Sequence, residues 1–464
     1  MKATLPLLCI FLLLIDFYVY KALIFTFTRW TAKKKKIFTW LWWVGNLSLL
    51  AGVFCAIYLN LFLSLRAIIL VAFFLLGIAK IFMLPFLLID DLRRGLVFLY
   101  RRFFKKSAAE KERSLVKDTD KQNIPPSDGR LPATENPLSP DETAGMQNTH
   151  QAALMPAEAK ESGIPGEPIS RAAFLTKAGL IAAAVPLSSL SWGIISGAYD
   201  YQIKRVRLVL PNLPKAFDGI RLGQISDIHS GSFYNKTAVK GGVDMLLAEK
   251  PDFIFFTGDL VNNLTNEVKD YQDIFSKVKA PLGVYSTLGN HDYGDYYFGH
   301  GASAAKARNL QDMIVTHKHM GYDLLMNENR RLKVDGEEIG ILGIENWGVG
   351  RFPKYGKMEL AVKDTDNLPV KLLLSHDPSH WRAEVLEKYP DIDAMFSGHT
   401  HGMQFGVRLK AFQWSPIQYI YKEWAGLYRE KQQQLYVNVG YGFLGYPGRV
   451  GILPEITIFE LKRA

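Results

Sequence analysis

Cysteine is nearly absent: the 464 residues hold two, Cys9 and Cys55, both inside apolar runs. The C-terminal half therefore has neither a disulfide nor a thiolate metal site. Acidic residues are scarce at the other end. Residues 1–106 hold 15 Lys and Arg against 3 Asp and Glu, a balance of +12 that leaves −2 for everything after them. A basic excess packed between long apolar runs is the pattern of cytoplasmic membrane loops, and it argues against a nucleic-acid partner. Aromatics are missing from residues 107–168, where 8 of the 22 prolines gather and 11 acids face 6 bases. Such a stretch cannot bury enough apolar area to offset its ordering entropy, and it reads as a disordered linker without helices.

What is abundant at the N-terminus is uninterrupted hydrophobic chain. Leu5–Phe27 is apolar apart from Asp16 and Lys21 and has no small-residue cleavage site, so it reads as an anchor. Ile37–Leu65 carries no charge at all, and about 20 residues of helix cross a bilayer. Ala67–Ile89, interrupted by Lys80 and Pro85, is a third candidate. Asp16 and Lys80 are expected to face a protein neighbour or to snorkel. The basic and aromatic flank Tyr100–Lys106 suits an anionic membrane face. A fourth uncharged run, Ala178–Tyr199, follows Ser170–Lys177, a flank that resembles the twin-arginine export signal except that Ala172 stands where its second Arg belongs.

The chain thus divides into a membrane domain (1–106), the linker (107–168), a fourth span (169–200) and a soluble domain (201–464). Placing the basic loops Arg29–Lys36 and Arg93–Lys106 in the cytoplasm makes this a multi-pass protein of the cell (inner) membrane with an extracytoplasmic C-terminal domain.

From Tyr201 short β-branched runs alternate with helical stretches: strands at Ile203–Leu210, Ile220–Ser226, Phe253–Thr257, Val284–Leu288, Arg330–Val334, Glu338–Ile344, Val370–Ser375, Ala394–Ser397, Leu435–Val439 and Glu455–Glu460, and helices near Lys236–Glu249, Glu267–Lys277 and Ala302–Met320. That is an α/β domain. Five strands end in groups that carry chemistry: Asp227-Ile228-His229, Gly258-Asp259, Gly289-Asn290-His291-Asp292, His376, and Gly398-His399-Thr400-His401. Loops at that edge converge while the strands hold their bases rigid. Asp227, His229, Asp259, Asn290, His376, His399 and His401 offer four imidazoles, two carboxylates and an amide oxygen, which suits Mn, Fe or Zn. Seven ligands are too many for one such ion and right for two divalent transition metal ions sharing a carboxylate. Asp259, with Gly258 allowing close approach, is the expected bridge.

This ordered set resembles the calcineurin-like metallophosphoesterase superfamily from Ile220 to Gln404, within it the membrane-anchored or exported bacterial branch. The resemblance implies a four-layer αββα sandwich behind the α-helical transmembrane region, and hydrolysis of a phosphoester by a hydroxide held between the metals. Asp227, His229 and His401 would hold the first ion, Asn290, His376 and His399 the second, and Asp259 both. His291 would protonate the leaving oxygen, oriented by Asp292. The downstream Asp-Arg-Gly of the Ser/Thr phosphatases is missing after Gly258-Asp259-Leu260-Val261-Asn262-Asn263, which argues against that branch.

His380, Trp347, Arg351 and Arg449 are expected substrate contacts, while His317 and His319, two apart on a helix, are expected on the surface. The tethering points to a phosphodiester or pyrophosphate that is itself membrane-associated, such as a lipid-linked precursor; the superfamily includes hydrolases of diacylated UDP-glucosamine. The alternatives are a phosphomonoesterase acting on a small soluble substrate, a metal-dependent amidohydrolase, which would open with His-x-His, and an inactive membrane scaffold, which would have lost a ligand.

Overall fold

The computed structural model describes residues 4–26, 30–59, 63–119, 171–409 and 412–464. Four helices open the chain: α1 (Thr4–Thr26), α2 (Ala32–Tyr58), α3 (Leu63–Thr119) and α4 (Arg171–Ile195). Each contains a stretch long and apolar enough to cross a membrane: Cys9–Thr26, Ala32–Ala56, Ile68–Phe103 and Ala173–Ile195. Helix α3 runs past its apolar part through the basic flank and on to Thr119, so residues 107–119, expected as linker, are helical. No proline interrupts the chain between Pro85 and Pro125, and 7 of the 13 residues 107–119 are Ala, Glu, Lys or Arg, all good helix formers. The rest of the expected linker, 120–168, lies outside the described residues.

The structure divides into two units. In the first, residues 1–40 and 80–182, the two intramembrane charges meet each other: Lys80 Nζ pairs with the Asp16 carboxylate. Nearby, the Tyr18 hydroxyl donates to Asp91 Oδ2 at 2.7 Å, and Asp90 accepts from Arg93 at 2.9 Å and Arg94 at 2.5 Å. Paired charges of this kind are what hydrocarbon tolerates.

The second unit, residues 41–79 and 183–464, holds two six-stranded mixed sheets. One has the order β1 (Gln202–Leu210), β14 (Glu455–Arg463), β2 (Arg221–Ile225), β3 (Phe253–Phe256), β4 (Val284–Ser286) and β5 (Asp323–Leu324); β14 runs parallel to β1 and antiparallel to β2, and β2 to β5 are parallel. The other has the order β12 (Gly426–Glu430), β13 (Gln433–Val437), β9 (Ala394–Ser397), β8 (Lys371–Leu374), β7 (Glu337–Gly343) and β6 (Glu328–Val334), with antiparallel pairs at its two edges. A separate hairpin pairs β10 (Val407–Arg408) with β11 (Gln413–Trp414).

Side chains alternate across each strand, so one strand serves two cores. Phe253 and Phe255 of β3 meet Leu372, Leu374 and Phe396 between the sheets, with Phe255 and Phe396 edge-to-face at 5.1 Å. Ile254 and Phe256 face outward onto Val239, Val243 and Leu246 of α5 (Lys236–Ala248). On the far side Leu373 and Met395 pack on Trp381 and Val385. The result is the expected helix–sheet–sheet–helix sandwich. Strands buried on both faces read as unbroken apolar runs, which is why Phe253–Phe256 is wholly hydrophobic.

Two local expectations fail. The stretch Glu267–Lys277 is not one helix but a 3-10 segment, Thr265–Asp270, followed by the short helix Gln272–Phe275, because the Glu267 carboxylate caps the amides of Asn262, Asn263 and Leu264. His317 is buried rather than exposed: its Nδ1 lies 2.9 Å from Ser286 Oγ and its ring packs on Phe256 and Tyr322. It shares the inward stripe of the Ala304–Met320 helix with Met313 and Met320.

Candidate dinuclear metal centre

The loops after β2, β3, β4, β8 and β9 converge at one end of the sandwich. They assemble two groups, Asp227/His229/His401 and Asp259/His376/His399, each with its ligand atoms within 4.8 Å of one another. In the first, His401 Nε2 lies 3.2 Å from Asp227 Oδ1 and 3.0 Å from His229 Nε2. Asp259 belongs to both neighbourhoods: its Oδ2 is 3.2 Å from His376 Nε2 and 3.5 Å from His229 Nε2. Asn290 joins the second group, with Oδ1 2.8 Å from His399 Nδ1. All seven residues proposed as ligands therefore come together.

The backbone is bent to bring them there. Asp227, His229 and His401 have φ of +50°, Asp259 +60° and His399 +73°, so five of the seven occupy the left-handed region that non-glycine residues avoid. Such strain, about 1–3 kcal/mol per residue, persists only where surroundings impose it, and it gathers at functional sites. Close approach demands glycine twice: a Cβ on Gly258 would strike the backbone of Gly289, and one on Gly398 would strike the side chains of Ser226 and Asp227.

A ring of acceptors and donors then sets which nitrogen each histidine presents. His376 Nδ1 lies 2.7 Å from the Thr257 carbonyl and His229 Nδ1 3.2 Å from that of Val261. A carbonyl can only accept, so both Nδ1 atoms carry the proton and both Nε2 lone pairs face the centre. His399 is turned the other way, its Nε2 held 2.7 Å from the Tyr421 hydroxyl and its Nδ1 facing Asn290. Behind His401 the buried Arg449 approaches Nδ1 at 3.2 Å and donates to the carbonyls of Val439 and Gly442.

The donor set fits divalent cations. His376 Nε2 is buried without a hydrogen-bond partner, an orphan that a metal would satisfy. Burial would raise the Asp227 and Asp259 carboxyls, but the surrounding imidazoles, His401 and His376 foremost, hold both well below the usual range. Burial would lower His376, but the Asp259 carboxylate 3.2 Å from its Nε2 raises it, so without an ion that nitrogen takes up a proton where a metal would sit. Two ionised carboxylates beneath buried imidazoles call for positive charge at this point.

Around this centre several expectations are corrected. Asp292 does not hold His291: its buried carboxylate accepts from the amides of Asp259, Leu260 and Gly289 at 2.8–2.9 Å, bracing the loop that carries the bridge. Burial and the Asp259 charge raise it to about 7. The orienting group for His291 is the Asn262 carbonyl, 2.6 Å from Nδ1.

His380 is fully buried between Ser375 Oγ at 3.0 Å and Glu384 at 3.3 Å, closed to contact from outside, and Trp347 covers it at 4.6 Å while stacking with Lys354. Arg449, only 1% exposed, braces His401 and cannot contact a phosphate. Arg351 is exposed, next in the chain to Phe352, whose ring meets His399 edge-on at 5.2 Å.

Three contributors escaped sequence reasoning. Tyr296 stacks on His291 at 4.4 Å and accepts from Asn290 Nδ2 at 2.8 Å; Tyr421 holds His399; Asp377 Oδ2 lies 3.6 Å from His399 Nε2. Tyr296, six residues after Asn290, was within reach of a local search. Tyr421 carried no signal.

Comparison with known proteins agrees with this geometry. Residues 1–198 match the family described as probable calcineurin-like phosphoesterase, transmembrane domain, and residues 220–403 match calcineurin-like phosphoesterase. A transmembrane protein with metallophosphoesterase domain from Danio rerio is 27% identical over 281 residues, 59% of this chain and 60% of that protein. The uncharacterized metallophosphoesterase YkuE of Bacillus subtilis is 30% identical over 254 residues, 54% of this chain and 82% of that protein. UDP-2,3-diacylglucosamine pyrophosphatase LpxG of Chlamydia trachomatis is 26% identical over 54% of this chain and 88% of its own length. The chain belongs to the calcineurin-like metallophosphoesterases and carries that family's transmembrane domain at its N-terminus.

Proposed function

We propose that this protein is a membrane-anchored, dinuclear-metal phosphoesterase that hydrolyses a phosphodiester or pyrophosphate. The observation that carries the reading is the pair of complete ligand groups with the Asp259 carboxylate between them. Divalent ions held by Asp227, His229 and His401, and by Asn290, His376 and His399, with Asp259 common to both, would supply an activated water and neutralise the phosphoryl oxygens. The protein's own part is positioning and proton transfer. His291 is pinned through Nδ1 to the Asn262 carbonyl and backed by Tyr296, which leaves Nε2 to protonate the leaving oxygen. Its amide donates to Asp259 Oδ1 at 2.9 Å, so acid and bridge move together.

Strand register supports catalysis close to the bilayer. Helix α4 ends at Ile195, and β1 begins at Gln202 beside Glu455, the first residue of β14. Gln224, near the carboxyl end of β2, lies opposite Thr457 of the same strand. The metal-bearing strand ends and the end of α4 therefore share one pole of the sandwich. The basic loops favour the extracytoplasmic side for that pole. A substrate sharing the membrane, a lipid-linked pyrophosphate or diester, gains effective concentration from such placement, and the LpxG relative is described as a UDP-2,3-diacylglucosamine pyrophosphatase. The test is turnover by the full-length protein in vesicles. Faster cleavage of a lipid-linked pyrophosphate than of a small soluble diester supports the reading, and equal rates remove the lipid-linked substrate. Absence of turnover on both, with metals bound, would make the protein a scaffold.

A further inference from the structure

The hairpin after the last metal ligand is built inside out. Arg408 turns inward, to a buried ion pair with Glu455, whereas its neighbours Val407 and Leu409 point out. Val407 lies opposite Trp414, and the Leu409 amide donates to the Phe412 carbonyl at 2.8 Å, so Val407, Leu409, Phe412 and Trp414 share one face. Leu409 is 67% and Phe412 59% exposed. The next turn adds Tyr419 at 77% and Ile420 at 71%, followed by an exposed Lys422. A soluble domain buries such residues; an apolar patch with an aromatic and a cation at its rim fits a lipid–water boundary.

Hydrogen bonds tie this patch to the membrane segment. Just before the hairpin, Gly406 donates to Val450 at 2.9 Å and Val450 donates to Gln404 at 2.8 Å. One residue back, Arg449 donates to the Gly193 carbonyl of α4 at 3.1 Å, and Tyr234 donates to Ile194 at 2.9 Å. The same loop's Tyr446 bonds the Leu190 carbonyl and lies 6.4 Å from the ring of Phe74, inside the apolar stretch of α3. The segment that precedes the hairpin is thus joined by the Phe405–Val450 bridge to a loop bonded to the apolar stretch of α4. Trp192 and Ile195, at the end of α4, are themselves 68% and 78% exposed.

We propose that the outward face of the β10–β11 hairpin and the turn at Tyr419-Ile420 are seated in the headgroup and upper acyl region of the bilayer that holds the chain's own helices, beside the metal centre. This rests on the reading of the chain as a membrane-anchored phosphoesterase with its metal-bearing pole toward the bilayer, and adds a second, non-spanning point of attachment. His399 and His401 precede the hairpin directly, and Tyr421, which holds His399, follows Ile420. The seat therefore sets the metal centre against the layer in which a lipid phosphate lies.

The test uses full-length protein with Cys9→Ser and Cys55→Ser, reconstituted in vesicles of phosphatidylethanolamine and phosphatidylglycerol. A polarity-sensitive fluorophore is attached at Leu409→Cys or, as control, at Lys363→Cys, which lies beside β6 at the opposite edge of the same domain. The expected result at position 409 is a blue shift and quenching by brominated lipid, with weak quenching by iodide; the control should show the reverse. Equal iodide quenching at both positions would overturn the proposal. So would shielding at 409 from iodide and lipid alike, which means that protein, a second copy or a partner, covers the face. Because this readout needs no turnover, it stands or falls separately from the choice of substrate. In a second variant, Leu409→Asp with Phe412→Asp, turnover of a small soluble diester should be unchanged while the advantage of a lipid-borne diester is lost. An advantage retained in full would separate the patch from the bilayer.

Discussion

His291 and Asp259 sit one hydrogen bond apart and have different proposed roles, which makes their variants diagnostic. His291→Ala should lower turnover by roughly 10²–10⁴-fold with two metals still bound by elemental analysis, since proton transfer alone is lost; loss of metal would make His291 a ligand. Asp259→Asn keeps the shape and removes the shared charge, so metal content should fall below two per chain, and two ions retained would exclude the bridge. Away from the centre, burial raises Asp393 from 3.8 to about 6. An acid raised on folding holds its proton more tightly in the native state, so stability should fall as pH rises from about 4 to about 6 and stay low above it. Asp393→Asn should remove this slope, on the order of 2–3 kcal/mol, read as the thermal midpoint of the solubilised protein against pH. The ligands were legible because each follows an apolar strand in a set order. The partner of His291 was not: Gly-Asn-His-Asp gives residue types without directions, and the carboxylate turned to the amides beneath it. His317 could have been read from its spacing with Met313 and Met320, four and three residues away on the same helix face.

Among the elements, the end of α4 is fastened by glycine. A Cβ at Gly193 would come within 2.7 Å of Val450 and 2.9 Å of the Arg449 carbonyl, and would press on the Tyr446 hydroxyl. Gly193→Val should therefore destabilise the protein by about 1–3 kcal/mol, the usual cost of overpacking. It should also reduce turnover, because the displaced loop carries the Arg449 that braces His401. An unchanged thermal midpoint would show that α4 is not docked there. Long elements were the legible ones: ten strands emerged from β-branched and aromatic runs, and four helices from hydropathy. The two-residue strands of the hairpin and the polar edge strand β12 have too little pattern to register. The expected helix at Glu267–Lys277 gives way to shorter turns because a side-chain cap breaks a helical spacing from within.

For the whole molecule, the membrane orientation predicts that a reporter fused at Ala464 is active only outside the cytoplasm; activity only in the cytoplasm would invert the topology. The four-layer plan was legible only through the resemblance carried by the five strand-end motifs, while the expected division at Tyr201 rests on the change from apolar runs to alternating strands and helices; the structure's second unit takes up the chain again at Ala183. The sequence could not supply which pole of the sandwich lies nearest the end of α4, because that depends on pairing between strands that lie far apart in the chain. The pairing of β1 with β14 has a practical consequence. Leu210 lies opposite Arg463, eight residues along from the Gln202–Glu455 pair, so the last strand finishes about 26 Å from the end that carries the candidate metal ligands. Immobilised by a tag at that finish, the protein would stand with its cleft toward the medium, ready to be touched to a supported lipid film as a probe tip.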